Sequence, residues 1–584
     1  MFYIVRYDLK KLLVFLKDYR KESILAPLFK CLEAIFELLV PVAVTVIIDN
    51  GINANNTKWI WLMCGFMILL AIVGVISALC AQLFAARAAV GFAAKLRSAL
   101  FEKIQSFSYS MTDKAGVSTL ITRMTSDINS VQTGVNMFLR LFMRSPFIVF
   151  GAMVCAMLID VKLGLIFLAV IAVLAIIVFG IMLISIALHK KTQARLDGIV
   201  SKVRGNYGGT RVIRAFNKEN DEIEEFCEKN SALNKIQIFA GRISALMNPL
   251  TYVIINIAVI LLIRNGAMTV NAGDISQGEL VALYNYISQI LVELIKLASL
   301  IITLNKASAS AKRISDVFDL PSDIEHKVDS AAGEENLTVE FKNVSFRYGE
   351  DSEGDNAIEN LSFKVKSGQT VGIIGGTGSG KSTLVNLIPG FYHATEGNIF
   401  VNETNASLLS AEQRKEIFGI VPQRATLFAG TVRSNLLWGK ENATDEDIWE
   451  ALELACAKDF ILGKSDKLDE AVLQDGRNFS GGQRQRLTVA RALIKKPRIL
   501  ILDDSSSALD YATEATLRKN VASLDYSPTV FIVSQRASSV MHADLIIVLD
   551  DGQAVGIGKH DELLENCEVY REIYHTQFSK GGEA

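Results

Sequence analysis

Cysteine pairing is missing from this chain of 584 residues: Cys31, Cys64, Cys80, Cys155, Cys227, Cys456 and Cys567 are scattered without one CxxC spacing. The scatter excludes a disulfide framework and a zinc site, which need cysteines at short fixed intervals or in a small secreted chain. A dominant charge is missing too. Sixty Lys and Arg stand against 62 Asp and Glu, a net charge of −2, and no basic stretch is interleaved with aromatics. Nucleic acid is therefore not expected as a partner. Phe2 to Lys21 is basic and amphipathic but is followed by no small-residue cleavage site. It reads as an interfacial helix on the inner leaflet, not a signal peptide.

What the chain has in excess is apolar residues, 50% of the total, and they crowd into runs before about residue 305. A hydrocarbon layer about 30 Å thick needs about 20 such residues per helix. Trp59 to Ala86, Leu163 to Leu188 and Ser244 to Ile263 contain no charge, while Ser23 to Ile48, Gly134 to Ile159 and Leu280 to Leu304 carry a few. Six membrane helices are predicted, at about 23–48, 59–86, 134–159, 163–188, 244–263 and 280–304. The loop after the second holds Arg87, Lys95, Arg97, Lys103, Lys114 and Arg123, and the loop after the fourth holds Lys190, Lys191, Arg195, Lys202, Arg204, Arg211 and Arg214. The opposite loops offer little beyond Lys58, Lys162 and Arg264, so the basic loops and both termini are expected in the cytoplasm. Both long loops read as extensions of the membrane helices.

Charges inside such helices cost a few kcal/mol and face a cavity or a partner. Glu33 and Glu37 in the first helix and Glu293 and Lys296 in the sixth are the candidate pathway residues, with Lys30, Arg140 and Arg144 nearby in the same class. Counted at about 1.5 Å per residue, Glu37 and Glu293 reach similar mid-membrane depth. Lys296 could pair with Glu33 or Glu37, and the arginines are expected to snorkel toward the inner leaflet. A cavity lined by apolar side chains and a few acids suits amphipathic or cationic compounds.

Apolar periodicity stops at Asp319-Leu320-Pro321. This divides a membrane domain (1–320) from a polar linker (321–336) and a soluble α/β domain (337–584), in which short apolar strands alternate with helical segments. The strand Thr370–Ile374 runs straight into Gly375-Gly376-Thr377-Gly378-Ser379-Gly380-Lys381-Ser382-Thr383. That G-x-x-x-x-G-K-S spacing between strand and helix is a P-loop. Its backbone N–H groups and the helix N-terminus cradle phosphates, Lys381 neutralises the terminal phosphates and Ser382 ligates Mg²⁺. ATP and Mg²⁺ are the expected ligands.

Downstream, Phe479-Ser480-Gly481-Gly482-Gln483-Arg484-Gln485-Arg486 resembles the signature sequence of ATP-binding cassette (ABC) proteins. Over essentially its whole length the chain is similar to one half-transporter of the ABC exporter family, six membrane helices fused to an ABC ATPase domain. Thr210-Arg211-Val212-Ile213-Arg214-Ala215-Phe216 resembles that family's coupling region, and Gly278-Glu279-Leu280-Val281-Ala282 the start of its sixth helix. The resemblance implies that Tyr348 stacks on adenine, that Gln423 lies near Mg²⁺ and senses the membrane domain, and that Asp503 holds Mg²⁺ through water. It also implies that Ser507-Ala508-Leu509-Asp510 faces a second nucleotide domain. Two such domains close head to tail, so Ser480, Gly481, Gly482 and Gln483 would complete the partner's ATP site.

The family pattern has Glu after the Walker B Asp and a His in the switch loop, where this chain has Asp504 and Gln535. Glutamate reaches the attacking water and imidazole holds the γ-phosphate in transition-state geometry. Asp504 is one methylene shorter, and misplacing a base by about 1 Å can lower the rate on the order of 10²-fold. Gln535 donates a hydrogen bond but carries no positive charge. Before the signature, Val472-Leu473-Gln474-Asp475-Gly476 replaces the common Val-Gly-Glu-Arg-Gly. The expectation is therefore a heterodimer, in which a partner with intact Glu and His supplies the strong site and this chain the weak one. ATP-driven export of hydrophobic small molecules, of multidrug type, from a bacterial plasma membrane is the leading expectation. Lipid or peptide cargo, or a nucleotide-gated channel or regulator, are the alternatives.

Overall fold

A chain crossing hydrocarbon finds no water for its amide and carbonyl groups, so its long apolar runs must be helical. In the computed structural model, residues 11–321, 337–349 and 356–578 are described. The first ten residues, with much of the expected interfacial helix, and 322–336 of the expected linker lie outside them. The chain divides into two units, Met1–Gln105 with Val117–Leu320, and Ser106–Gly116 with Pro321–Ala584.

Among the described residues of the first unit, six helical spans are long and apolar enough to cross a membrane: Leu13–Ile52, Thr57–Gln105, Val117–Ile159, Val161–Gly208, Glu219–Ala272 and Gln277–Phe318. The six expected helices are present, and each runs well past its apolar window. The second continues through Arg87, Lys95 and Arg97 to Gln105, and the fourth through Lys190, Lys191 and Arg195 to Gly208.

The first and sixth spans approach closely, and small residues permit it. A Cβ on Gly278 would lie 2.6 Å from the Thr45 carbonyl oxygen. In its absence Gly278 N donates to Asp49 Oδ1 at 3.0 Å, and Thr45 Oγ1 donates to the Gly278 carbonyl at 3.1 Å. Ser276 and Glu279 form a capping box that starts the sixth span. Further along, the buried Tyr286 donates its hydroxyl to the Leu38 carbonyl at 2.9 Å. Around this seam Ala34, Leu38, Ile148, Phe167, Ile255 and Leu283 form one apolar cluster.

Among its described residues the second unit has two main sheets and a two-stranded one pairing Gly430–Thr431 with Ala471–Val472. One main sheet is six-stranded, in the order Gln553–Gly558, Leu545–Asp550, Thr370–Gly375, Thr529–Val533, Ile499–Asp503, Phe418–Val421. It is parallel apart from the antiparallel edge strand Gln553–Gly558. The other is antiparallel and includes Ile358–Val365, Val339–Phe346 and Glu396–Val401. Strands of the first sheet such as Ile499–Asp503 are buried along their whole length, as a sheet covered on both faces requires. Its register sets Asp503 beside Val533 and Val533 beside Ile373. Three strands thus end at one edge, the carboxyl edge at which open parallel sheets bind ligands.

Ser106–Gly116 packs as part of the second unit. Its short helix Tyr109–Ala115 is capped by Ser108. Tyr109 stacks on Phe391 with ring centroids 4.3 Å apart, and the Tyr392 hydroxyl donates to Asp113 at 2.6 Å.

Candidate nucleotide site and intramembrane charge cluster

The loop after Thr370–Gly375 turns because its glycines take backbone shapes that other residues resist. Gly378 and Gly380 have φ of 85° and 93°, a region that side chains disfavour. Open space lies above Gly376 and Gly378, where a Cβ would meet nothing within 4 Å. The helix Lys381–Leu387 starts here, and the N–H groups of a helix's first turn have no intrahelical acceptor. Lys381 is buried, and its ammonium donates to the carbonyls of Gly375 (3.0 Å) and Gly376. Burial pulls this ammonium below the usual lysine range, against the opposing pull of Asp504 and Asp503. Asp503 is pushed the other way: burial raises its carboxyl, Asp504 adds to the rise, and a 3.0 Å hydrogen bond from Ser382 Oγ resists it. A glycine loop with open space above it, a lysine and a hydroxyl–carboxylate pair form a donor set that fits a nucleotide phosphate chain with its divalent ion.

Asp504 sits at the end of the Ile499–Asp503 strand with φ of 45°, a left-handed shape uncommon for a residue with a side chain. Its N–H donates to the Val533 carbonyl at 3.1 Å, which fixes its backbone to the neighbouring strand. The backbone therefore cannot slide forward to offset the missing methylene. Gln423 Nε2 lies 3.5 Å from Asp504 Oδ2, so the sheet edge brings together Ser382, Gln423, Asp503 and Asp504.

Gln535 is exposed, on a loop held from two sides. Gln577, on the helix Glu568–Phe578, donates to the Gln535 carbonyl at 2.8 Å and accepts from the Ala537 N–H at 2.8 Å. Arg536 pairs with the buried Glu514 at 3.0 Å and lies over the Tyr511 ring, and Ser539 also donates to Glu514. Gln577, Glu514 and Arg536 carry no motif that marks them in the sequence. Gln577 had no signal, because a terminal helix carries no phosphate motif. Glu514 had a weak one, four residues after Asp510. The Tyr348 ring is part-exposed, with its hydroxyl 3.1 Å from Thr383 Oγ1.

In the signature segment, Ser480 caps the helix Gly481–Leu493 in a capping box with Gln483, by bonds of 3.0 and 3.3 Å. A Cβ on Gly482 would come within 2.9 Å of the Ala508 carbonyl, so the glycine lets this helix press against Ser507–Asp510. Ser480, Gly481, Gly482 and Gln483 all retain some exposure.

In the first unit the intramembrane charges converge on Arg144, which the sequence pattern places toward the inner leaflet. Arg144 does not snorkel. It is buried, its Nη1 bonds Glu293 at 2.7 Å, its Nη2 bonds Glu37 at 2.5 Å, and its Nε lies 3.8 Å from Glu33. Glu293 is 3% exposed and also accepts from Ser145 at 2.7 Å and Lys296 at 2.9 Å. Lys296 therefore pairs with Glu293 on its own helix, and not with Glu33 or Glu37. Glu33 pairs with Lys30 at 2.5 Å. A guanidinium is always charged and offers five donors in a fork. A buried fork among three carboxylates finds its charge neutralised there, so it has no reason to reach for the lipid surface.

Comparison with known proteins is consistent along the chain. Residues 23–294 match the family described as ABC transporter transmembrane region, and residues 358–507 the family described as ABC transporter. The chain is 35% identical over 575 residues to the protein of Bacillus subtilis (strain 168) named uncharacterized ABC transporter ATP-binding protein YfiB, covering 98% of this chain and 99% of that one. It is 33% identical over 568 residues to uncharacterized ABC transporter ATP-binding protein Rv1273c of Mycobacterium tuberculosis (strain ATCC 25618 / H37Rv), covering 96% and 97%. A solved structure described as a bacterial Atm1-family ABC exporter with ATP bound superimposes with a TM-score of 0.80 at 23% identity, covering 97% of this chain and 100% of that one.

Proposed function

The chain belongs to the ABC transporter family, as an exporter-type membrane protein whose ATPase domain couples ATP hydrolysis to transport, and on that premise we propose that it is the weak-site half of a heterodimer. The observation that carries this reading is a joint departure. Asp504 and Gln535 both differ from the family's catalytic pair, while Ser480–Gln483 keeps both its sequence and its capped helix start. A pair of identical chains would have two impaired sites. A partner with Glu and His would have one competent site, completed by this chain's signature segment.

In that arrangement Lys381 neutralises the terminal phosphates, and the backbone of Gly375–Lys381 with Ser382 and Thr383 surrounds them. Ser382, Gln423 and Asp503 are the residues that would hold magnesium. Bound there, the ion would supply positive charge against the charge that develops on the phosphates. Tyr348 offers its ring face to adenine. Asp504 and Gln535 then hold the nucleotide more than they cut it, so the site acts as a slow clamp while the partner's site turns over.

The cargo assigned here is a hydrophobic or amphipathic compound, moved by alternating access when the cytoplasmic domains close. An apolar groove of about 600 Å³ between the first and third spans, lined by residues such as Leu39, Val42, Phe147 and Phe150, supports an oily cargo. The basic loops assign both termini to the cytoplasm of a plasma membrane. Purification from the native membrane in mild detergent tests the pairing. The expected result is a second chain of similar size carrying Asp-Glu and the missing His. A stable pair of identical chains that exports cargo would overturn it.

A further inference from the structure

Six charged groups crowd the middle of the first unit, and they are not equally available. Arg144 and Glu293 are buried and bonded to each other, although Arg144 Nε is buried without a hydrogen-bond partner, and Lys30 and Glu33 are paired and largely buried. The two side chains that keep open faces are Glu37 (40% exposed) and Lys296 (49% exposed). Both line one cavity of about 350 Å³ between the first and sixth spans, with Asn285, Ser288 and Gln289. Within it Glu37 Oε2 accepts from Arg144, and among the described residues nothing donates to its Oε1. Gln289 Oε1 is buried with no hydrogen-bond partner, a state that costs free energy until something donates to it. This cavity is on the opposite face of the first helix from the apolar groove, since Glu37, Val40, Pro41 and Val44 line one and Ile35, Leu38, Leu39 and Val42 the other.

We infer that this cavity is a subsite for a group carrying both a primary ammonium and an acidic oxygen, a zwitterion, with the ammonium at Glu37 and the anion at Lys296. The inference rests on the reading that this membrane half carries cargo, and it narrows the class of that cargo. The six charges sum to zero, as three cations and three carboxylates. A purely cationic guest would gain Glu37 but be repelled by Lys296, and a purely anionic guest the reverse, even though Lys296 and Glu37 each already have a partner within the protein. Desolvating an unmatched charge is the larger penalty in a confined space. A guest with both charges matches both walls, and its N–H groups reach the free Glu37 and Gln289 oxygens. The volume is at the lower end of the range for ligand pockets, about 300–1,000 Å³, so it suits a head group or a small amino acid and not a large drug. This replaces the cationic preference that a count of acids alone suggests. The same chemistry is found in a free amphipathic amino acid and in the head group of an aminophospholipid.

The test is binding of three matched eight-carbon probes, 2-aminooctanoate, octylamine and octanoate, to the purified full chain in nanodiscs of anionic lipid. The zwitterion is expected to bind about tenfold more tightly than either singly charged probe. Glu37→Gln should shift the preference toward octanoate and Lys296→Gln toward octylamine, an exchange of selectivity that simple loss of folding cannot produce. Asn285→Asp adds an acid without touching the Arg144 network and should also favour octylamine. Nanodiscs containing phosphatidylethanolamine decide the source. Competition with the probe assigns the subsite to a lipid head group, absence of competition assigns it to a free zwitterion, and either result upholds the subsite. Equal affinity for all three probes, no binding by any of them, or variants that leave the order unchanged would overturn it. None of these readouts involves ATP hydrolysis, so the subsite and the weak-site reading stand or fall separately.

Discussion

Arg144→Met removes a cation that joins the first, third and sixth spans. Its loss leaves Glu37 without a cationic partner, while Glu293 keeps Lys296 and Ser145 and Glu33 keeps Lys30. Breaking a buried ion pair by removing one partner costs about 3–5 kcal/mol. The remaining partners, and the partial exposure of Glu37, put the expected loss at the lower end, about 3 kcal/mol. At about 2.1 cal/mol/K per residue, a unit of roughly 300 residues shifts by about 1.5 °C per kcal/mol, so the thermal midpoint falls by about 5 °C. Because membrane proteins unfold irreversibly, the midpoint ranks variants at one heating rate and is not an equilibrium value. Fluorescence-detected size exclusion after heating in detergent provides that ranking. Arg144→Met combined with Glu37→Gln and Glu293→Met removes the stranded carboxylates as well, and should recover much of the loss. If Arg144→Met shifts the midpoint by less than about 2 °C, or if the triple variant's loss equals the sum of the single losses, the cluster does not hold the three spans together.

Lys381→Ala should weaken nucleotide binding about 10- to 100-fold, the value of about 1.5–3 kcal/mol for a hydrogen bond to a charged group, as read by titration with a fluorescent ATP analogue. Magnesium-dependent binding should weaken on acidification while the pH is still above the usual aspartate range. Burial raises the Asp503 carboxyl, the protonated form cannot hold the ion, and a raised value means that this form appears at higher pH; binding flat down to the usual aspartate range would contradict it. Gly278→Val places a side chain where a Cβ would already sit 2.6 Å from the Thr45 carbonyl. Overpacking of this kind costs about 1–3 kcal/mol, so its thermal midpoint should fall in the same assay, whereas Gly74→Val, at a position where a Cβ meets nothing within 4 Å, should not.

The glycine loop and its lysine were legible because their geometry is local: strand, glycine turn, lysine and helix follow one another in sequence. The six spans were legible because hydrocarbon thickness imposes a length. The similar depth of Glu37 and Glu293 was also countable at a fixed rise per residue, and the two acids do meet on one guanidinium. What the count could not supply was helix rotation. Whether Arg144 faces lipid or its neighbours depends on which side of the third span packs against the first and sixth, and packing is set by contacts far apart in sequence, such as Tyr286 with Leu38. The same limit hid Gln577, which reaches the Gln535 loop from the end of the chain, and Asp113, whose partner Tyr392 lies 279 residues away. Asp504 and Gln535 were visible as departures. That the Asp504 backbone is fixed to Val533, and so cannot compensate for the short side chain, needed the sheet.

ATP turnover by this chain, purified alone and reconstituted, tests the central claim most directly. Wild type should hydrolyse far more slowly than the order of 10 s⁻¹ of a median enzyme, and Asp504→Glu with Gln535→His should raise the rate by about 10²-fold, the scale on which a misplaced base is felt. Brisk turnover by the wild-type chain, or no gain in the double variant with nucleotide still bound, would contradict the account.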